Sequence, residues 1–464
     1  MDARTLSQLA AYANGALTGG DPHREITRIS TDSRTIQPGD LFVPIRGANF
    51  DGHRFVEQTA AKGAAGAVVE PVWKGKVPES FALIRVADSL AGYHAIAAYY
   101  RQSLPIKVIG ITGSNGKTST KDFVAAALSR RFRVAKTEGN FNNHVGLPQT
   151  ILNASAEDEI GVWEMGMNHP GEIATLARIA APDAAVITNI GVAHIEFMGS
   201  REAIAQEKGM LAEAVNENGT VILNADDLFS ESIARRTRAK IIFAGINSGA
   251  IRADEISQSA SGSEFTILEG AHRCRAQLPV PGLHMVQNAI LAVATARAFG
   301  VPIEQAALGL AAASLTKARL QVRDIRGVQF LDDSYNANPD STKAALRTLA
   351  ELDTDGRRVA VLGAMGELGS ESERGHAEVG ECAAELRIDQ LITVGELGAI
   401  ISDAARAAGL EKSRNVSSHE EAAELLGDET SPGDLVLIKG SRAARMERVL
   451  EEFRDPQSAI GNSV

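Results

Sequence analysis

The chain has 464 residues, too many for one ordinary hydrophobic core, and domain-size priors point to about three domains. Apolar residues make up 44% and charged residues 23%, which excludes a disordered chain, and the net charge of −11 excludes the broad basic face of a nucleic-acid binder. With two cysteines, no apolar leader in residues 1–10 and no run near the roughly 18 apolar residues of a membrane span, neither a disulfide framework nor a membrane anchor is expected, and the expected location is the cytoplasm.

Short β-like runs at 41–45, 67–70 and 82–86 precede an Ala-rich helical stretch that ends near Arg101. Ser103-Leu104-Pro105 then breaks the pattern, because proline disfavours helix at the residue before it, and a first unit of 1–103 is expected to end there. From Ile106 short apolar strands alternate with amphipathic helices, the clearest strands being 108–112, 161–164, 184–189 and 220–224. Such alternation predicts βαβ units around a parallel sheet, in a second unit of 104–316. Residues 319–333 read as a hairpin turning at Arg326-Gly327, which opens a third unit of 317–464 with strands at 358–362, 390–394 and 434–439. The third unit is Rossmann-like in its alternation, but no Gly-x-Gly-x-x-Gly follows its first strand, so no dinucleotide is expected. The fold class is α/β throughout.

The strongest chemical signal is Val108-Ile-Gly-Ile-Thr-Gly-Ser-Asn-Gly-Lys-Thr-Ser119. An apolar strand runs into glycines, a lysine and hydroxyls, and an amphipathic helix follows. Gly113 and Gly116 let backbone N–H groups turn towards anionic oxygens, the helix beginning near Thr118 presents its positive end, and Lys117 adds a point charge. The segment departs from the usual eight-residue pattern, since Ile111 stands where its first glycine belongs. ATP or GTP binding is expected, and Thr118 can hold Mg²⁺.

Glu164 ends a strand just before a Gly-rich turn, at the ligand-facing edge of a parallel sheet, where it is either a metal ligand or a solvated strand-end carboxylate. His194 follows another strand and is either a metal ligand or a loop histidine with a structural hydrogen bond. Lys208, in a helical stretch over 201–215, reads from its local pattern as an ordinary solvated lysine.

In their order along the chain these residues resemble the Mur ligases of peptidoglycan synthesis, and the resemblance spans almost the whole sequence. Thr112-Gly-Ser-Asn-Gly-Lys-Thr118 is similar to the family's nucleotide loop, while Gly139-Asn-Phe-Asn-Asn143, Glu164, His194 with Gly199-Ser200, and Lys208 fall where the family keeps nucleotide and metal groups. The resemblance implies a small N-terminal α/β domain for a UDP-sugar, a central ATP-binding domain, and a C-terminal domain that takes the incoming amine and closes on ATP. It implies ATP contacts from Gly113, Ser114, Asn115, Gly116, Lys117, Thr118 and Ser119, and from Asn288, Arg319 and Asp333 further along. Metal contacts are implied from Thr118, Glu164, His194 and, if carbamylated, Lys208; Lys117, Glu164, His194 and Lys208 then form the catalytic group. Carbamylation would turn a cation into an anionic oxygen ligand and needs a neutral amine, hence a depressed pKa.

Within the family, residues 164–172, 332–340, 366–373 with His376 and Gly380, and 439–442 resemble the member that adds D-alanyl-D-alanine. The Asp-Asn-Pro-Arg box of diaminopimelate-adding relatives is absent, and Gly363-Ala-Met365 stands where the family usually has Gly-Asp-Met. Thr31, Asp32, Ser33 and Arg34, with residues 47–53, resemble the region holding the UDP-sugar, and Asn336 falls among the substrate groups. The implied reaction uses ATP and Mg²⁺ to join UDP-N-acetylmuramoyl-tripeptide to D-alanyl-D-alanine through an acyl phosphate, in a monomeric enzyme without nucleic-acid or membrane partners. Two rivals are a sibling amide ligase, such as a folylpolyglutamate synthase, and a nucleotide switch that handles ATP without an amine substrate.

Overall fold

A computed structural model describes residues 1–47 and 49–454; Ala48, inside the 47–53 segment, and positions 455–464 of the third unit lie outside the described residues. Three sheets follow one another along the chain. The first has five strands in the order Ala16–Thr18, Ala82–Arg85, Gly66–Val69, Leu41–Phe42, Ile29–Ser30, parallel except at its first pair. The strand expected over 41–45 stops at Phe42, because Pro44 has no N–H to offer a ladder. Helix Ser89–Ser103, capped by Asp88, ends at Leu104, whose extended backbone is the conformation Pro105 demands.

The central sheet has nine strands. Its parallel part runs Val134–Lys136, Ile160–Glu164, Lys107–Thr112, Ala184–Ile187, Thr220–Asn224, Lys240–Gly245, Ile251–Ser259. Strand Lys107–Thr112 lies between neighbours that follow it in sequence, so the chain leaves it in both directions and a crevice opens at its carboxyl end. Two antiparallel strands, Gly262–Glu269 and His272–Leu278, extend the sheet and were not legible beforehand. The reason is local: Ile251–Ser259 is mostly polar, and Glu255 in a left-handed conformation breaks its register between Asp254 and Ser257, which disrupts the alternation that marks a strand.

The third sheet has six strands in the order Gln321–Ile325, Val328–Asp333, Leu435–Lys439, Arg358–Leu362, Gln390–Val394, Ser413–Val416. The first pair is the expected hairpin, and its turn residues Arg326 (φ 58°) and Gly327 (φ 80°) are both left-handed, as a two-residue turn between twisted strands requires. The remaining pairs are parallel, so Asp333 and Lys439 end neighbouring strands at one carboxyl edge.

Trp163 sits fully buried one residue before Glu164, in a core continuous between the first and central units, with the Arg101 guanidinium 5.8 Å from its ring centroid. Truncating Trp163 to alanine is expected to cost about 3–5 kcal/mol of stability, read as a shift in the urea midpoint. A shift below about 1 kcal/mol would show that the core collapses into the space.

Candidate active site

The carboxyl edges of the central and third sheets enclose a cavity of about 800 Å³. Ser114, Asn115, Gly116, Lys117, Thr118 and Ser119 line it from the central unit together with Glu164, His194 and Asn288; Arg319, Asp333 and Asn336 line it from the other side. A second cavity of about 770 Å³, beside Lys240–Gly245 and Arg297, contains none of the residues singled out in the sequence.

The phosphate loop is shaped by two glycines. Gly113 has φ 152° and any Cβ there would collide with Thr188 Oγ1; Gly116 has φ 78° and lies against the Asn288 amide. Helix Lys117–Leu128 starts directly after Gly116, one residue earlier than expected, so its first N–H groups face the loop. The loop is pinned from behind: Asn189 Oδ1 accepts from the Asn115 N–H at 3.0 Å, and Thr188 Oγ1 donates to the Asn115 carbonyl at 2.5 Å. Lys117 Nζ folds onto the Gly113 and Ser114 carbonyls at 2.9 and 3.4 Å, and burial lowers its pKa.

Glu164 is buried; its Oε1 accepts from Asn142 Nδ2 at 2.7 Å, while its Oε2 has no partner. Lys208 is fully buried rather than solvated, and its Nζ also lacks a partner. It does not line the cavity, but it is near enough to Lys117 for that charge to add to the dominant effect of burial, and the two hold its pKa well below the ordinary lysine value. Among the described residues no group of three or more His, Cys, Asp and Glu is placed to hold a metal unaided. The unpartnered Glu164 oxygen on the cavity wall would suit a divalent cation, and Lys208 would serve one only after its amine had become a carbamate, since an orphaned buried polar atom is costly without such a role. His194 Nδ1 lies 2.5 Å from Glu367 Oε2 of the third unit but makes no hydrogen bond of acceptable geometry.

The third unit reaches the loop directly. Arg319 donates to Thr118 Oγ1 at 3.3 Å and stacks on Tyr335, and Lys439 pairs with Asp333 while donating to the Asn336 carbonyl at 2.9 Å. Asn338 Nδ2 donates to Asn115 Oδ1 at 2.7 Å, and Asp340 accepts from the Val192 N–H at 2.9 Å. Asn142, Thr188, Asn189, Asp340 and Glu367 were missed as individual site residues, because turn-forming Asn, Asp and Thr are common and their convergence needs the fold. Thr31, Asp32, Ser33 and Arg34 do not line the cavity: they make their own turn in the first unit, with Arg34 clamped on Asp32.

His284, also on the cavity wall, has its pKa pushed down to about 4, chiefly by burial. Between pH 6.5 and about 4 the unfolded chain therefore binds a proton that the folded chain refuses, and stability falls as pH falls through that window. His284→Gln is expected to flatten this part of the melting-temperature profile, and an unchanged slope would contradict the assignment.

The pattern for the Mur ligase middle domain matches residues 111–296, that for the Mur ligase glutamate ligase domain matches 318–442, and that for the Mur ligase family catalytic domain matches 25–82. The UDP-N-acetylmuramoyl-tripeptide--D-alanyl-D-alanine ligase of Bacillus subtilis is 39% identical, the alignment covering 97% of this chain and 98% of that protein. A crystal structure of MurF from Acinetobacter baumannii superimposes with a TM-score of 0.90 at 33% identity, covering 98% of this chain and 99% of that one. MurF from Thermotoga maritima in complex with ADP gives a TM-score of 0.83 at 30% identity, covering 94% and 98%. With near-complete coverage at these identities, and with all three sheets accounted for, the chain belongs to the Mur ligase family.

Proposed function

We propose that this protein is an ATP-dependent amide ligase that joins D-alanyl-D-alanine to UDP-N-acetylmuramoyl-tripeptide, acting as a monomer in the cytoplasm at the last step of precursor peptide assembly. The observation that carries the reading is the cavity itself: a phosphate loop on one wall and charged groups of a separate α/β unit on the other, in a chain alike over its full length to ligases of that name.

In this reading residues 1–103 hold the UDP-sugar through the turn Thr31 to Arg34, 104–316 hold ATP, and 317–464 bring the dipeptide and close the site. Lys117, freed from the Gly113 carbonyl, meets the β- and γ-phosphates, Arg319 approaches beside Thr118, and Asn288 faces the adenine side. Mg²⁺, held by Thr118, Glu164, His194 and a carbamylated Lys208, would offset the repulsion between ATP and the acceptor carboxylate. A carboxylate oxygen of the tripeptide attacks the γ-phosphorus, ADP leaves, and the acyl phosphate carries a good leaving group. The dipeptide amine then attacks the acyl carbon, loses its proton and expels phosphate. Contacts between the two walls, Asn338 to Asn115 and Asp340 to Val192, keep water from the acyl phosphate.

Phosphate release with ATP and Mg²⁺ tests this when the tripeptide and the dipeptide are added separately and together. The reading expects release only with both; release indifferent to both would replace it with a nucleotide switch.

A further inference from the structure

The segment that joins the central unit to the third is fastened to the phosphate-loop helix at two points. Asp122, whose side chain is fully buried on helix Lys117–Leu128, accepts from both the N–H and the hydroxyl of Thr316 at 2.8 Å. One turn nearer the loop on the same face of that helix, Thr118 Oγ1 accepts from the Arg319 guanidinium at 3.3 Å. Asp122 is held in turn by Lys136, which donates to it at 2.9 Å, and Lys121 Nζ lies 3.3 Å away. A buried carboxylate with this many partners is a fixed post.

Between the two contacts the backbone takes an uncommon shape. Ala318 and Leu320, on either side of Arg319, are both left-handed, φ 58° and 52°, which is unfavourable for a residue with a side chain and persists only where the surroundings impose it. Leu320 is fully buried in the core that runs from the central unit into the third, and the Ala318 carbonyl accepts from the Tyr335 N–H at 3.4 Å. The ring centroid of Tyr335 lies 4.1 Å from the Arg319 guanidinium carbon, so one residue both ties the backbone and carries the side chain. We propose that Asp122 and Thr316, together with the left-handed Ala318, are positioning residues that hold Arg319 against the phosphate loop, so that a nucleotide meets a guanidinium already in place. Ordering a long arginine side chain during binding costs affinity, and ordering it beforehand removes that cost. This role rests on the function proposed above, in which Arg319 contacts ATP; neither Asp122 nor Thr316 lines the cavity, so both act only through Arg319.

The test is the affinity of the full-length protein for β,γ-imido-ATP with Mg²⁺, measured by isothermal titration calorimetry. Thr316→Val, Asp122→Asn and Ala318→Gly are each compared with Arg319 intact and in an Arg319→Ala background. Thr316→Val removes one hydroxyl and leaves the buried charges untouched, so it decides the role of the clamp even if Asp122→Asn fails to fold. With Arg319 intact, the expected result is roughly tenfold weaker binding in Thr316→Val, the size of one hydrogen bond to a carboxylate. Ala318→Gly should bind roughly two- to fivefold more weakly, because its freed backbone must be ordered again, yet melt no lower than wild type. In the Arg319→Ala background neither substitution should weaken binding further. A merely structural role predicts a lower melting temperature and an equal loss with and without Arg319, and that result would overturn the proposal. So would wild-type affinity in Thr316→Val, or in Arg319→Ala itself. If wild type made no pentapeptide the ligase reading would fall, while the nucleotide titrations would still decide whether the linker positions Arg319.

Discussion

Replacing Lys117 with alanine is expected to lower the rate of ligation by roughly a thousandfold without unfolding the protein, by analogy with the loss of a single preorganised charge at a developing anion or a transferring phosphoryl group. The loop backbone does not depend on the lysine, because Asn189 and Thr188 hold Asn115 and the two glycines set the turn. The side chain itself is spent on the Gly113 and Ser114 carbonyls, contacts that phosphate oxygens can replace. A melting temperature close to wild type with ligation near background is the expected pair of results. A rate within tenfold of wild type would mean that the loop binds phosphate without stabilising its transfer.

Lys208→Ala is expected to lose roughly 100-fold in activity and to regain part of it in added acetate or formate, whose carboxylate can enter the space left by the side chain. Lys208→Arg, a permanent cation, should be inactive and beyond rescue. The physical ground is the buried, unpartnered amine: burial first and Lys117 second disfavour its proton, which leaves the neutral form that reacts with carbon dioxide. Its linkage runs against stability. Below the ordinary lysine pKa the unfolded chain holds a proton that the folded chain does not, so this group costs stability at neutral pH, and the cost shrinks as pH rises. Full activity in Lys208→Ala, or no response of wild type to removal of bicarbonate, would contradict the carbamate.

Much of this was legible in the sequence, for identifiable reasons. Strands such as Thr220–Asn224 and Arg358–Leu362 are short apolar runs flanked by polar turns, and the Arg326-Gly327 hairpin carries its own turn chemistry. The phosphate loop is legible because strand, glycines, lysine and helix are contiguous. Lys208 shows the limit: its local pattern reads as a solvated helix lysine, and only the packing of helix Arg201–Glu213 against the sheet reveals a buried amine. Glu367 and Asp340 act more than a hundred positions from the groups they meet, His194 and Val192, and no local pattern announces such a pairing.

In the proposed reaction the cavity activates a carboxylate by phosphorylating it. The most direct measurement supplies UDP-N-acetylmuramoyl-tripeptide with a heavy oxygen isotope in its terminal carboxylate, together with ATP and D-alanyl-D-alanine, and follows the label by mass spectrometry. Transfer of one labelled oxygen into the released phosphate for each pentapeptide formed is the predicted result; pentapeptide formed with unlabelled phosphate would contradict it.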